Sequence, residues 1–338
     1  MVTSHDVARL AGVSQPTVSR ALRGMSGASP ETIARVRAAA EALGYVPSEA
    51  GRTLSTRRTR CIGIVAGDLT NPFYPELIEP MRAELENQGY RALLIPDADE
   101  SPVEIERLSD GTLDGVLLTT STVHSQIPRE LAKRGIPFVL VNRTVDGAEC
   151  DTCAFDNASG AVAASRLLLD RGHRVVGMIG GPSDTSTGRD RAQAFLDEMS
   201  ANGAWVDPML VHRGPFSFMT GYRAALELMS HPEPPTAVFC GNDVIALGAS
   251  DAILTARRDR GRGMEVVGFD DIAMSSWDVF RITTVHGDLG LMARESVKLV
   301  LRRIEDPEAP FVQTVLPTTL VDRFPPEIRS PPGGRASS

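Results

Sequence analysis

The chain has 338 residues, of which 42% are hydrophobic and 23% charged, and this length allows two or three domains with separate cores. No stretch approaches the ~20 apolar residues of a membrane-spanning helix. The N-terminus lacks the basic and apolar regions of a secretory signal. The sequence therefore predicts a cytoplasmic protein with no membrane partner.

Charge is distributed unevenly along the chain. Residues 1–60 carry nine arginines against four acidic residues, a net charge of +5, whereas the whole chain carries −8 and the remainder therefore −13. A basic segment attached to an acidic remainder predicts that this segment meets a polyanion. Clustering on a solvated surface would give the same count, so charge alone does not decide between the two.

The first part of the chain has start and stop signals for three short helices within residues 3–45. Thr3 begins a capping-box pattern, and Gly12 ends the first helix. Ser29, followed by proline and glutamate, opens the third helix, which Gly44 ends. Two short helices joined by a glycine turn can place the second one in the major groove of DNA.

The second predicted helix carries side chains suited to DNA. Glutamine can bond adenine, arginine can bond guanine, and proline can contact a thymine methyl. We expect Gln15, Pro16 and Arg20 to project outward and Val18 to face the core. Short hydroxyls suit phosphate oxygens. Each position alone fits a solvated helix face equally well. The candidate DNA-binding residues of this segment are Ser14, Gln15, Pro16, Thr17, Ser19, Arg20, Arg23 and Thr32.

From residue 61 onward, short apolar runs alternate with helical patterns. Such runs indicate parallel strands whose sheets are covered by helices on both faces. They are too many for one small sheet, so the sequence predicts two side-by-side α/β lobes. The runs are 61–68, 90–98, 114–120, 136–143, 150–155, 175–181, 237–243 and 264–271.

Polar residues follow several predicted strands, where two α/β lobes would face a shared cleft. Asn142, Arg191, Asn242 and Asp270 combine a carboxylate with fork-like donors, a set suited to a sugar, and Phe73 and Phe216 could stack on its apolar face. Each also has a structural alternative. Asp270 could cap a loop, Arg191 could pair with Asp184 or Asp190, and the phenylalanines could belong to the core.

Enzyme and metal signatures are missing from the sequence. There is no nucleophile elbow, phosphate-binding loop or zinc-protease motif, and the six histidines are scattered. Cys150 and Cys153 form one C-x-x-C without a second pair, so we expect buried reduced thiols. We therefore predict a protein that is not an enzyme and that has no metal site and no cofactor.

The string TSHDVARLAGVSQPTVSRAL, continued by SPETIARVRAAAEALGYVPS, resembles the N-terminal domain of the lactose-repressor (LacI) family of bacterial regulators, and the similarity continues to about Arg323. The resemblance implies an α/β protein with a three-helix helix-turn-helix head and a two-lobe periplasmic-binding-protein-like body. The implied divisions are a head at 1–46, a hinge at 47–60, a first lobe at 61–158 with 287–323, a second lobe at 159–286, and a Pro/Gly/Ser-rich tail at 324–338 that we expect to be disordered.

The resemblance also assigns roles to particular residues. In the family, a hinge-helix leucine wedges into the minor groove; Leu54 occupies that position here, and Arg52 matches the hinge pattern. The cleft positions add Tyr74 to the six residues named above. Asn142 stands where aspartate is frequent, and Gly51 where alanine is usual.

The implied function is that of a sequence-specific DNA-binding repressor of a carbohydrate-utilisation operon. A homodimer would bind a palindromic operator in double-stranded DNA and leave it when a small sugar-like effector closes the body; a nucleoside or purine is the alternative effector. A periplasmic sugar-binding protein would share the body but would lack the DNA-binding head. A purely architectural DNA binder would not need the acidic body.

We predict that the hinge is unfolded when the protein is free of DNA. A helix of two or three turns is marginal alone, and Gly51 costs about 1 kcal/mol more than alanine within it. Amide hydrogen exchange of the free protein should show unprotected amides over 47–60 and protection after operator is added. Protection in the free protein would contradict this.

Overall fold

The computed structural model describes residues 2–22, 27–46, 58–67, 69–96, 102–204, 206–260 and 263–323. The chain divides into two compact units with a boundary between Thr59 and Arg60, which we call the head and the body. The predicted DNA contacts Arg23, Arg52 and Leu54 and the tail 324–338 lie outside the described residues.

The helix ends in the head follow the capping signals of its sequence. Thr3 forms the predicted capping box, in which its amide donates to Asp6 Oδ2 at 3.0 Å, and Gly12 ends the helix with a φ of 66°. Ser29 Oγ accepts from the Thr32 amide at 3.2 Å and so caps the third helix. The helices are α1 (Ser4–Ala11), α2 (Gln15–Leu22) and α3 (Pro30–Ala42).

One valine from each helix forms the centre of the head. Val7, Val18 and Val36 have no exposed surface, and small alanines pack around them. Full burial of one such side chain stabilises a fold by about 1.5–3 kcal/mol. Val18 therefore fixes which face of α2 points away from the core.

The first lobe of the body is a parallel sheet with helices on its faces. Its strand order in the described residues is β11-β5-β4-β3-β1-β2, which makes β2 an edge strand. The central strands are buried throughout, as continuous apolar runs predict. The elements are β1 (Cys61–Ala66), α4 (Phe73–Asn87), β2 (Arg91–Pro96), α5 (Pro102–Ser109), β3 (Gly115–Leu118), α6 (Ile127–Lys133), β4 (Phe138–Val141), β5 (Asp151–Phe155), α11 (Leu289–Glu305) and β11 (Gln313–Leu316).

The second lobe repeats this arrangement with a parallel sheet of order β7-β6-β8-β9 in the described part of the chain. A short antiparallel pair, β10 with β12, continues beyond β9 through bridges at Val267–Thr283 and Asp270–His286. The elements are α7 (Asn157–Asp170), β6 (Val176–Gly180), α8 (Ser186–Ala201), β7 (Val211–Arg213), α9 (Phe218–Ser230), β8 (Ala237–Cys240), α10 (Asp243–Arg260), β9 (Glu265–Val267), β10 (Thr284–Gly287) and β12 (Thr318–Val321), with 3₁₀ turns at Pro208–Leu210 and Ala273–Ser276.

The chain passes between the lobes three times, after β5, after β10 and after β11. The family resemblance implies that all of 287–323 belongs to the first lobe, but β12 pairs with β10 of the second lobe, with Thr284 opposite Val321. An apolar run cannot show which sheet its backbone joins. Among the described helices, none is long and apolar enough to cross a membrane.

A buried ion pair ties the end of α11 to β5. Arg303 Nε donates to Asp151 Oδ2 at 2.8 Å, and the two side chains are 8% and 0% exposed. The other Asp151 oxygen accepts from the Val312 amide at 2.8 Å. The same arginine donates to the carbonyls of Pro307 and Ala309. The pair therefore holds the loop that feeds β11 into the sheet.

We predict that Asp151→Asn destabilises the body by about 3–5 kcal/mol, because it leaves the Arg303 guanidinium buried without its charge partner. Urea unfolding of the full chain, followed by circular dichroism, measures the loss. Glu79→Gln is the matched control, since Glu79 pairs with Arg82 at an exposed site, where about 0–1 kcal/mol is expected. Equal effects of the two substitutions would contradict the prediction.

Candidate effector and DNA sites

A cavity of about 240 Å³ lies between the two lobes of the body. All seven cleft residues predicted from the sequence line it: Phe73, Tyr74, Asn142, Arg191, Phe216, Asn242 and Asp270. Three residues that were not predicted complete the lining, namely Asn71, Arg143 and Thr187. The structure thus brings together residues that are up to 199 positions apart, Asn71 and Asp270, in one cavity.

The strand ends explain this convergence. Asn142 directly follows β4, Asn242 follows β8 by two residues, and Asp270 lies just beyond β9. Because the strands of each sheet are parallel, their carboxyl ends meet at one edge, and the two edges face each other across the cleft. Phe73 begins α4, and Phe216 lies in the loop between β7 and α9.

Arg191 is the most connected side chain of the cavity. It is 2% exposed and donates from Nε to Asn157 Oδ1 at 2.7 Å and from Nη1 to the Gly241 carbonyl at 2.9 Å. Its Nη1 also lies 3.0 Å from Asp270 Oδ1, and its guanidinium lies 3.7 Å from the centre of the Phe269 ring. The surface pairing with Asp184 or Asp190 that the sequence left open is therefore not formed.

Burial dominates the electrostatics of this pair. It lowers the pKa of Arg191 and raises the pKa of Asp270, while the attraction between them acts in the opposite direction on each. Both groups are shielded from water, and the attraction between them offsets part of the free energy that each loses on dehydration. The pair also orients a carboxylate and a guanidinium toward the same cavity.

Asp243 is a second buried acid beside the cavity that the sequence analysis did not single out. Its Oδ1 is bonded to the Thr284 hydroxyl at 2.5 Å, and its Oδ2 accepts from the Ile272 amide at 3.0 Å. Burial raises its pKa well above the usual range, and nearby Asp270 adds to the shift. Asp243 therefore holds its proton over a wider pH range than an exposed aspartate does.

The three unpredicted lining residues differ in their contacts and in how far the sequence could have indicated them. Arg143 donates to the Thr120 carbonyl at 2.9 Å and to the Tyr74 hydroxyl at 3.0 Å. Asn71 Oδ1 accepts from the Phe73 amide at 3.1 Å, so its Asn-Pro-Phe turn was a usable signal. Thr187 lies in the first turn of α8 and has no signal in the sequence beyond a hydroxyl near a helix start.

Direct contacts join the lobes around the cavity. The Thr144 amide donates to Ser186 Oγ at 2.9 Å, and Arg189 lies 2.8 Å from Asp146. On the other side, the Ala273 amide donates to the Glu76 carboxylate at 3.1 Å. The lobes therefore meet along both rims of the cavity in this structure.

In the head, the described candidate DNA-binding side chains are exposed to different degrees. Pro16 and Arg20 are exposed on α2, as predicted. Gln15 differs from the prediction, because it is half-buried and donates to Ser4 Oγ at 3.2 Å. Ser14, Thr17, Ser19 and Thr32 are exposed or half-buried, with Ser14 Oγ bonded to Thr17 Oγ1 and Thr32 Oγ1 bonded to Ser29 Oγ.

Cys150 and Cys153 are buried free thiols, as predicted. Cys150 and Cys153 pack into hydrophobic clusters on opposite faces of the first sheet. Burial raises the pKa of Cys150 to about 12 and that of Cys153 to about 11, so both stay protonated at neutral pH. Across the described ranges, no group of three or more His, Cys, Asp or Glu side chains could hold a metal ion.

A helix-turn-helix head and a two-lobe body with a polar cavity define a DNA-binding transcriptional regulator. Residues 3–48 match the family model of bacterial regulatory proteins of the lacI family. Residues 59–297 match the model of periplasmic binding proteins and the sugar-binding domain of the LacI family. The chain therefore belongs to the LacI family of bacterial regulatory proteins.

Relatives and solved structures agree with this assignment. The ribose operon repressor of Escherichia coli (strain K12) is 31% identical over 96% of this chain and 99% of its own length. A complex of the transcriptional regulator CelR with cellobiose is 31% identical, with a TM-score of 0.71 over 96% of this chain and 99% of that one. The Lac repressor dimer bound to operator and the anti-inducer ONPF shares the fold at 23% identity, with a TM-score of 0.85 over 95% and 98% of the two chains. All three are transcriptional regulators.

We predict that Asp243→Asn removes a pH-dependent loss of stability. The pKa of Asp243 is raised in the folded state, so folding retains a proton that the unfolded chain releases above about pH 3.9. Stability contributed by this group is therefore full at low pH and falls as pH rises toward the folded-state pKa. Asparagine stays neutral, so the variant should gain in Tm over the wild type between pH 4 and 7.

Thermal unfolding of both proteins over that pH range measures the difference. Asp197→Asn is the matched control, because Asp197 is exposed on α8 and bonded to Gln193. If the Tm difference between Asp243→Asn and the wild type does not change with pH, the pKa of Asp243 is not raised in the folded state.

Proposed function

We propose that the chain represses a carbohydrate-utilisation operon and leaves its palindromic operator when a small sugar-like effector occupies the cavity. The cavity carries the proposal. Asp270, Arg191 and Asn242 supply an acceptor and donors for neighbouring hydroxyls, and Phe216 offers an apolar ring face. The ribose operon repressor and the cellobiose complex among its relatives support a sugar. The protein has no catalytic role in this proposal and works in the cytoplasm, at the nucleoid.

The size of the cavity favours a small effector. Its ten lining residues enclose only about 240 Å³ of empty space, part of which is open to solvent. A monosaccharide therefore fits better than a nucleoside, which adds a base to the sugar. Occupation would add further contacts between the lobes to those of the rims, because residues of both lobes line the cavity.

A homodimer is supported by the apolar surface of the body. The edge strand β2 exposes Leu93 and Leu94, which are 46% and 42% exposed. Trp277 and Val279 are exposed by 52% and 63% on the second lobe. Open edge strands and large exposed apolar side chains are usually covered by a partner. A second copy of the chain is the partner that a two-fold symmetric operator requires.

Selection of binding sites from random double-stranded DNA by the full chain tests the proposal. We expect an inverted repeat, with an affinity that falls steeply with salt because arginines neutralise phosphates. Addition of the cognate sugar should then release the selected operator in a mobility-shift assay. A non-palindromic site, or binding insensitive to salt, would argue against a dimeric repressor.

Two arginine variants sharpen this experiment. Arg20 is exposed on α2, so Arg20→Ala should weaken operator binding by about 1–3 kcal/mol and relax the sequence preference at one position of each half-site. Arg37→Ala on α3 removes an exposed charge of the same type and should leave the selected sequence unchanged. If both variants keep the full sequence preference, Arg20 is excluded as a base-reading residue.

A further inference from the structure

The charges that line the cavity do not balance. Two guanidinium groups, Arg143 and Arg191, face one carboxylate, Asp270. The ion pair at 3.0 Å assigns that carboxylate to Arg191. Arg143 is therefore the surplus cation of the lining.

Arg143 is held by neutral partners. Its Nη1 donates to the Thr120 carbonyl and its Nη2 to the Tyr74 hydroxyl, while its Nε is buried with no hydrogen-bond partner. Within the described ranges, no carboxylate oxygen forms an ion pair with it. Its guanidinium lies 5.8 Å from the centre of the Phe216 ring, on the opposite side of the cavity. A buried donor without a partner is costly, so the site gains when a ligand supplies an acceptor.

The acids around the cavity have other partners. Asp271 lies 2.6 Å from Arg323 and 3.0 Å from His286. Asp243 is bonded to Thr284 and to the Ile272 amide, and it does not line the cavity. Glu76 accepts from the Ala273 amide and does not line the cavity.

Asn142 adds a second unsatisfied group. The residue is 5% exposed, and its Oδ1 is buried with no hydrogen-bond partner. An amide oxygen accepts from a hydroxyl and repels a carboxylate oxygen. Asn142 and Arg143 are adjacent in the chain, so one ligand can place a hydroxyl at the first and an anionic group at the second.

We infer that the effector is a monosaccharide-sized sugar acid whose single carboxylate is bound by Arg143 and whose hydroxyls reach Asn142 and Asp270. This inference rests on the proposed function of the cavity as an effector site. One carboxylate cancels one surplus positive charge. A phosphate ester carries nearly two negative charges at neutral pH and would leave an excess negative charge in a cavity of about 240 Å³.

Isothermal titration of the full chain with matched ligands tests the inference. The pairs are D-glucuronate with D-glucose, D-galacturonate with D-galactose, and D-ribonate with D-ribose; D-glucose 6-phosphate and D-ribose 5-phosphate form the phosphate arm. We expect at least one acid to bind about tenfold or more tightly than its neutral partner, a difference of ~1.4 kcal/mol at 25 °C. The phosphate of the same sugar should bind more weakly than that acid.

Two variants separate a charge effect from damage to the site. Asn142→Asp places a carboxylate beside Arg143 and should weaken binding of the acid at least about tenfold while it strengthens binding of the neutral sugar. Arg143→Gln should weaken the acid much more than the neutral sugar. The matched controls are Asn87→Asp and Arg166→Gln, which make the same changes at exposed positions. Both controls should bind as the wild type does.

A neutral sugar that binds as tightly as its acid, a phosphate that binds more tightly than the acid, or a panel in which no acid binds would overturn the inference. Parallel losses for acid and neutral sugar in both variants would also overturn it, because general damage to the site would then explain them. Neutral-sugar binding would leave the proposed function intact. Failure to select an inverted-repeat operator would overturn the proposed function whatever the titrations show.

Discussion

The body is organised around one buried guanidinium. Arg191 reaches from α8 to Asn157 at the first passage between the lobes, to the Gly241 carbonyl after β8, and to Asp270 beyond β9. An unpaired charge at this depth would be prohibitively costly, so these three segments must adopt the positions that satisfy it. The constraint places a carboxylate, an amide and an aromatic ring around one cavity. The polar groups that line the cavity and the packing of the second lobe therefore depend on the same side chain.

Contacts across the cleft are weak compared with the free energy that a switch needs. The Asp146–Arg189 pair is 51% and 41% exposed and contributes about 0–1 kcal/mol. A hydrogen bond such as Thr144 to Ser186 adds about 0.5–1.5 kcal/mol. To move a two-state equilibrium from 1:99 to 99:1 takes about 5.5 kcal/mol of differential binding. The rim contacts alone are therefore too weak to hold the lobes in one arrangement. A ligand that bonds to polar groups of both lobes must supply most of the free-energy difference between the two states.

The sequence predicted those features whose signals are local. Continuous apolar runs predicted the buried parallel strands, and Ser29 and Gly12 marked helix ends through capping chemistry that needs only neighbouring residues. Strand ends predicted the cleft residues, because parallel strands bring their carboxyl ends together. Arg143, Asp243 and the pairing of β12 were not predictable in this way. Their character depends on which distant groups bury or neutralise them, and the Gln15 contact with Ser4 likewise depends on how two helices pack.

Three of the five non-glycine residues with positive φ in the described part of the chain lie at the cavity or directly beside it. Asn142, Asp270 and Asp271 have φ values of 66°, 113° and 56°, conformations that cost roughly 1–3 kcal/mol each for residues other than glycine. Backbone hydrogen bonds from Asn142 to Cys153 and from Asp270 to Val285 hold the turns in place. The turn at 270–271 sends successive carboxylates to different partners, Asp270 to Arg191 and Asp271 to Arg323. Glycine would relieve the strain and remove the side chains with which Asn142 and Asp270 line the cavity. Asparagine and aspartate tolerate the left-handed region better than other side chains do, so backbone and ligand requirements converge on the same two residue types.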